Sequence, residues 1–468
     1  MCDIVCLVER DGPIDECLSV RGGRLTIEDC DAASLAERFG TPLYVISEDQ
    51  LRRNVRTFYS EFRRRWTEGP VVVMPSIKAN FVLALRRILN EEGAGCDTFG
   101  RGELHAALLT GVPPDRISFN GSSKSADLVE QAISAGARIT LDAAREVELV
   151  IAAAKKVGRT ARVRVRVRPD FDVESPSDFY AEPISVREAA RHYKPGIPTE
   201  EVLDAARTLI AAPGVELTGV TMHAGRQTTD LAAWSSMVRS FVGVIATLRD
   251  ATGGWEPAEV DLGGGYPVPR DPFGRADARR QSAPDAPSVA EYAEVLTRTL
   301  REELAAIGMS AARRLEIEPG RAIYGNAGIH LASVTNVKRE TRPASHIWVE
   351  TDTSEIWLPD VNLERNRWTV CVAERALETA SMVADVVGIT CGFDVVVPDA
   401  ILAEVSQGDV LAFLDTGAYQ DANATNFNAL PRPATILVTG DQAQLVKRAE
   451  TVEDVFARDL VPERLASR

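Results

Sequence analysis

The sequence predicts an α/β chain: a TIM (β/α)8 barrel followed by an all-β C-terminal domain. Three observations predict it. Between residues 71 and 318, eight short apolar runs alternate with helical stretches. The runs end, one after another, in polar residues able to do chemistry, as the catalytic face of such a barrel requires. After about residue 325 the helical periodicity stops and short β-prone runs follow one another. The boundaries expected are 46–325 for the barrel and 1–45 plus 326–468 for the β-rich domain.

The eight runs are 71–77, 95–97, 117–120, 138–142, 162–168, 216–223, 258–262 and 313–318. The first opens on Val71-Val72-Val73, three β-branched residues that suit a buried, pleated surface. Helical patterns lie between the runs, over Leu83–Glu92, Gly102–Leu109, Ala126–Ser134, Arg145–Lys156, Glu200–Ile210, Leu231–Leu248 and Val289–Ala306. Two long loops interrupt the rhythm, 171–199 and 266–287. Both follow strands, which puts them on the face where insertions shape substrate choice. The tail offers β-prone runs at His330–Val334, His346–Glu350, Trp368–Val372, Val383–Thr390, Val410–Leu414 and Ala434–Val438, and Arg24-Leu25-Thr26-Ile27 is expected to join them.

Composition narrows the partners. A chain of 468 residues is long enough for two full cores. A net charge of -15 speaks against nucleic acid or an anionic membrane surface. No apolar run approaches the roughly 20 residues of a membrane span, and the N-terminus lacks the basic start of a signal peptide. The seven cysteines (residues 2, 6, 17, 30, 96, 371 and 391) show neither paired spacing nor the neighbours of a zinc site. No metal is therefore expected, and a reducing cytoplasm is the expected home.

The strand ends carry the chemistry. Lys78 ends the first strand, with its stem among apolar residues and its amine at a mouth, where desolvation frees the lone pair that a Schiff-base lysine needs. A single such lysine is ordinarily a surface residue that snorkels; its companions change the reading. Asp97, Asn120 and Asp142 end strands two to four, and Arg166 and Arg168 end the fifth. His223 ends the sixth, placed to stack on a flat ring. Gly263-Gly264-Gly265 follows the seventh and lets the backbone approach a phosphate. Glu318-Pro319-Gly320-Arg321 ends the eighth: a buried carboxylate needs a partner, and a protonated pyridine nitrogen is a suitable one. A lysine amine, a stacking imidazole, a phosphate cradle and a carboxylate for a ring nitrogen together specify pyridoxal 5'-phosphate.

In combination these motifs resemble those of the fold-type III pyridoxal-phosphate decarboxylases, the diaminopimelate, ornithine and arginine decarboxylases with an alanine-racemase-like barrel. The resemblance runs from Gly40-Thr41-Pro42-Leu43-Tyr44 to about Pro433 and rests on Lys78-Ala79-Asn80, Cys96-Asp97 with Gly102-Glu103-Leu104, Phe119-Asn120-Gly121, Lys124-Ser125, His223, Gly263–Gly265 and Glu318–Arg321. In the tail, Gly388-Ile389-Thr390-Cys391 and Asp415-Thr416-Gly417-Ala418-Tyr419 resemble segments that complete the site across a dimer interface. The resemblance thus implies a homodimer with composite sites. Lys78, His223 and Cys391 are the implied catalytic residues, with Lys78 holding the cofactor and Cys391 returning a proton to the decarboxylated carbon. Asp97, Arg226, Gly263, Gly264, Gly265, Glu318, Gly320, Arg321 and Tyr419 join Lys78 and His223 as cofactor contacts. Arg166, Asp394, Leu358 and Asn362 are the expected substrate contacts.

Three departures bear on the substrate. Diaminopimelate decarboxylases carry an Arg-Pro-x-x-Tyr run that grips the distal end of the substrate; here Leu358-Pro359-Asp360-Val361-Asn362 stands in its place. Gly392 replaces the glutamate after the cysteine, and the loop is one residue short. Arg226 replaces a serine after the histidine. The expectation is α-decarboxylation of an amino acid other than diaminopimelate. A racemase or epimerase on the same fold, and a non-catalytic regulator that keeps the fold, are the alternatives.

Overall fold

The computed structural model describes residues 11–168, 170, 185–188, 194–223, 225, 228–270, 286–364 and 366–465. They divide into two compact units. One is built from the described residues up to Gln50 and from Gly325 onward, the other from those between Leu51 and Tyr324.

Eight parallel strands form the second unit: β1 (Val71–Val73), β2 (Cys96–Thr98), β3 (Ile117–Phe119), β4 (Arg138–Leu141), β5 (Ala161–Arg166), β6 (Val215–Thr221), β7 (Glu259–Asp261) and β8 (Arg314–Ile317). Strands β2 to β8 pair each with the next, and β8 pairs back onto β1. Between β1 and β2 the ladder thins to a single bridge, Ser76–Asp97, helped by the Gly95 N–H to the Val73 carbonyl at 2.9 Å. The barrel is thereby nearly closed. The run expected over 71–77 stops at Val73, because Pro75 has no N–H to donate and residues Ile77–Ala79 coil into a short 3-10 turn. That turn is what presents Lys78.

All seven expected helices are found within three residues of their predicted ends. The helix Val289–Ala306 begins on a capping box, with the Ser288 side chain and Glu291 satisfying each other's backbone donors. Among the helices not anticipated is Glu48–Arg65, ahead of β1. Its buried residues Leu51, Val55, Phe58 and Phe62 recur at helical spacing, and the Phe58 ring meets Tyr266 edge-on at 5.2 Å. One expectation needs correction. The helix Leu231–Ala251 does have the length and apolar composition of a membrane span. Its apolar side chains, Trp234, Met237, Val238, Phe241, Ile245 and Leu248 among them, are buried in the unit that holds it. The long loops expected at 171–199 and 266–287 lie largely outside the described residues.

The first unit is mostly β. A nine-stranded sheet is built around Gly328–Glu340, which pairs antiparallel with Leu43–Ser47, His346–Thr351 and Val410–Phe413. Every β-prone run expected in the tail is a strand. Val395–Leu402 and Gln442–Lys447 are strands the sequence did not announce. Arg24–Ile27 is a strand, but of a separate four-stranded antiparallel sheet rather than the large one. The core between these sheets includes Leu25, Ile27, Leu43, Val45, Ile329, Leu331 and Ile436.

Leu331 is fully buried and sits on the central strand opposite both Leu43 and Ala412. Leu331→Ala should therefore cost roughly 2–5 kcal/mol in denaturant unfolding. A loss below about 1 kcal/mol would show that this core closes over the gap.

Candidate active site

The barrel interior is charged. Along β5 the residues Arg162, Arg164, Arg166 and Arg168 alternate with Val163, Val165 and Val167, so one face of the strand is cationic and the other apolar. Arg138 on β4, Glu259 and Asp261 on β7, and Arg314 and Glu316 on β8 follow the same period of two, and Glu318 just past β8 continues it. Arg138 and Arg164 are completely buried. Arg138 reaches both oxygens of Glu316 and also Glu259, at 2.7 Å. Arg164 bonds Glu316 at 2.8 Å and pairs with Asp261, while its other amine bonds Glu318 Oε1 at 2.8 Å. The guanidiniums of Arg138 and Arg164 hold the Glu316 carboxyl down at about 2 against the effect of its burial. Glu318 goes the other way. Burial and the neighbouring carboxylates of Asp261 and Asp97 push it well above the usual range, with Arg164 opposing them.

Above this layer the strand ends converge as the barrel requires. Asn120 donates to Glu318 Oε1 at 2.7 Å and to Asp97, which also takes the Ser76 hydroxyl. Asp97 lies 3.8 Å from the Lys78 amine, whose side chain is 47% exposed. The lysine is thus tethered near a carboxylate yet open on one side. Glu103, in the first turn of the helix Arg101–Leu109, accepts the Phe99 N–H at 2.7 Å. Burial, then the charge of Asp97, raise Glu103 to about 7, against the pull of the Phe99 N–H and Lys78. Lys124 is buried on Glu146 at 2.9 Å, and burial lowers its pKa against that pairing.

The glycine loop is shaped by close approach. A Cβ on Gly264 would collide with the Glu318 backbone oxygen, and Gly263 adopts φ +70°. The three N–H groups are not equivalent. Gly263 N–H goes to Asp261 at 2.8 Å and Gly264 N–H to His223 Nδ1 at 3.1 Å. Among the described residues, only the Gly265 N–H of the three has no such partner. Gly263 and Gly264 thus direct their N–H groups to partners within the chain. Nδ1 of His223 is thereby held as an acceptor, which fixes the ring beside the glycine loop. Gly320 follows β8, Arg321 is buried beside it, and Arg166 ends β5. Arg226 lies outside the described residues.

The remaining expected residues belong to the β unit. Cys391 is exposed on a tight turn; its N–H goes to Asn428 Oδ1 at 3.1 Å, and Asn428 Nδ2 donates to its sulfur at 3.4 Å. Asp394 is buried, and its carboxylate accepts the Ser354 hydroxyl at 2.9 Å and the N–H groups of Glu355 and Thr390 at 2.7 Å. It braces the cysteine turn, which accounts for its charge without a substrate. Leu358 is likewise enclosed in the apolar core with Trp357 and Trp368. Asn362 is exposed, and Tyr419 is half-buried with a left-handed φ of 66°.

The buried carboxyl held above its usual range, the glycine loop that tolerates no Cβ and the open lysine beside Asp97 suit a phosphorylated pyridine aldehyde. Missed in the sequence were Arg138, Arg164, Glu259 and Glu316, although their period-two spacing was there to be seen. Glu103 stood inside a family motif without a role, and Asn428 was given none. Neither one's contacts follow from spacing.

Comparisons with known proteins agree with this geometry. The family described as pyridoxal-dependent decarboxylase, pyridoxal binding domain, matches residues 48–325. Diaminopimelate decarboxylase of Methanothermobacter thermautotrophicus is 30% identical over 447 residues, 95% of this chain and 98% of that one. The enzyme of the same name from Methanocaldococcus jannaschii is 29% identical and covers 96% and 98%. The crystal structure of the latter in co-complex with L-lysine superposes with a TM-score of 0.86 at 29% identity, over 96% of this chain and 99% of that one. These relatives lend no support to the expectation of a different substrate.

Two outcomes follow from the site. Since Glu103 is raised from an ordinary 4.5 to about 7, the stability it contributes is complete below 4.5 and is lost as pH rises through about 7. Urea unfolding at about pH 5 and about pH 8 should show a larger loss for the unaltered protein than for Glu103→Gln; equal losses would remove Glu103 from the titrating groups. Borohydride reduction followed by peptide mapping should place a pyridoxyl group on Lys78. A label on another lysine would overturn that assignment.

Proposed function

The chain belongs to the pyridoxal-dependent decarboxylases, and from that membership we propose that it removes the α-carboxyl group from an amino acid whose distal end differs from that of diaminopimelate. Membership decides for carboxyl loss over the racemase and regulator alternatives. The observation that carries the choice of substrate is the segment Leu358–Asn362. Leu358 is sealed in an apolar core and Asn362 is exposed and neutral, so neither offers a cation or a phenol to a distal carboxylate. The family resemblance places an arginine and a tyrosine there in enzymes that take diaminopimelate. Loss of such partners costs on the order of 1–3 kcal/mol each. A second reading, diaminopimelate itself, has the names of the relatives in its favour.

When bound, pyridoxal 5'-phosphate supplies the electron sink that a breaking Cα–carboxylate bond needs. The protein supplies the rest. Lys78 offers a half-exposed amine whose charge is balanced by Asp97. We assign Glu318 to hold a proton at the ring nitrogen, because burial and its carboxylate neighbours already favour a proton there. The imidazole of His223 is assigned to offer a flat face to the ring. Gly265 N–H, Arg321 and Tyr419 are assigned to the phosphate, with Gly320 leaving room for it. Arg166 is assigned to the substrate. Cys391, steadied by Asn428, returns one proton to Cα in place of the carboxylate that leaves as CO₂. Cys391 and Tyr419 are assigned to the site of the partner subunit, so a homodimer holds two composite sites. A reducing compartment such as the cytoplasm suits the free, exposed thiol of Cys391.

A panel of amino acids tested for CO₂ release should show meso-diaminopimelate turned over at least about tenfold less efficiently than the best substrate. A high kcat/KM on meso-diaminopimelate would return the protein to lysine synthesis. Mixing Lys78→Ala and Cys391→Ala subunits should restore part of the activity, because one of the two hybrid sites then has both residues intact. No recovery under conditions of demonstrated subunit exchange would count against shared sites.

A further inference from the structure

Barrels of this kind ordinarily fill their interior with branched apolar side chains. Here that space holds Arg138, Arg164, Glu259, Asp261 and Glu316, all buried. Stability does not account for them. Buried ion pairs roughly break even against well-packed apolar replacements, because the desolvation cost offsets the attraction. What such a cluster does well is hold a group in one place.

Arg164 is the member that reaches the site. All three of its guanidinium nitrogens are engaged. Nε donates to Thr140 Oγ1 at 2.7 Å and Nη1 to Glu316 at 2.8 Å. Nη2 donates to Ser118 Oγ at 2.7 Å, Asn120 Oδ1 at 3.2 Å and Glu318 Oε1 at 2.8 Å. One planar side chain thereby ties together residues at five strands, β3, β4, β5, β7 and β8. Its deeper anchors are fixed in turn, since Arg138 holds Glu316 through both oxygens. At the far end Glu318 Oε1 accepts from Arg164 and Asn120, and Asn120 is itself oriented by Asp97 and by the Ser118 hydroxyl.

We infer that Arg164 is a positioning residue for the decarboxylation: it clamps the Glu318 carboxyl in the one orientation that serves the cofactor's ring nitrogen, and the ion pairs beneath it keep the clamp rigid. The inference rests on the assignment of Glu318 to that nitrogen. A lysine would not substitute, because a single ammonium lacks the planar fork that spans Glu318 and Glu316 together.

The test measures cofactor affinity by equilibrium dialysis of pyridoxal 5'-phosphate against the full chain, beside the thermal midpoint of the same preparation. Arg164→Met alone strands buried carboxylates, so it is paired with Glu316→Met, which removes one cation and one anion together and leaves Arg138 on Glu259. The double variant should melt within a few degrees of the unaltered protein and bind the cofactor at least about tenfold more weakly. Arg164→Lys should also bind more weakly. Affinity that is unchanged in both, or that falls only in step with the melting point, would overturn the inference and leave Arg164 a structural residue. Glu318→Gln separates the two claims: unchanged affinity there overturns the assignment of Glu318, whereas weakened affinity there with unaltered affinity in both Arg164 variants overturns the role of Arg164 alone.

Discussion

The contact between Arg164 and Glu318 joins the two halves of this barrel's design. Below it lies a set of buried charges that have exchanged water for one another; above it lies the mouth where Lys78, Asp97 and Asn120 meet. Removing one partner from a buried pair of this kind costs several kcal/mol, because the other charge is left without water or counter-ion. The arrangement therefore tolerates few intermediate geometries. Glu318 is held among Arg164, Asn120 and Asp261, and its raised affinity for a proton follows from the same surroundings that hold it.

The cysteine turn solves the corresponding problem in the β unit with backbone strain and a single buried carboxylate, Asp394. Asp394, Asp415, Tyr419 and Asn428 all adopt positive φ, a conformation that side chains other than glycine seldom take. Each lies in a segment that carries, or directly touches, a residue assigned to the chemistry. Asp394 supports its strained turn with hydrogen bonds from Ser354, Glu355 and Thr390, and Asn428 closes on Cys391 from another loop. A thiol assigned to deliver a proton to one face of a carbon needs this restriction more than it needs burial, and Cys391 is fixed by Asn428 yet exposed.

Cofactor handling and substrate choice are assigned to different residues here. Glu318, assigned to the ring, is tied into the barrel by hydrogen bonds from Arg164 and Asn120. The segment Leu358–Asn362, by contrast, places its aliphatic residue in a core and its amide in solvent, and its packing is satisfied without any ligand. An exposed side chain such as Asn362 changes with little effect on folding, so the distal end of the substrate is where one member of this family can part from another.

Period and composition alone determined the barrel. Short β-branched runs alternating with helical faces leave few other ways to bury the apolar side of each element, and glycine and proline mark where each stops. The same reading placed Lys78, Asp97, His223 and Glu318 at strand ends. It also contained the alternating arginines of β5, whose period-two spacing assigns them to one face. Tertiary structure alone decided what that face meets. Whether Arg164 finds water or Glu316, whether the N–H group of Gly264 points outward or to His223, and whether Asp394 serves a ligand or its own turn all depend on contacts between residues 40 to 152 positions apart. Local sequence carries the period of an element but not the identity of its distant neighbour, and in a buried polar site that neighbour sets the charge.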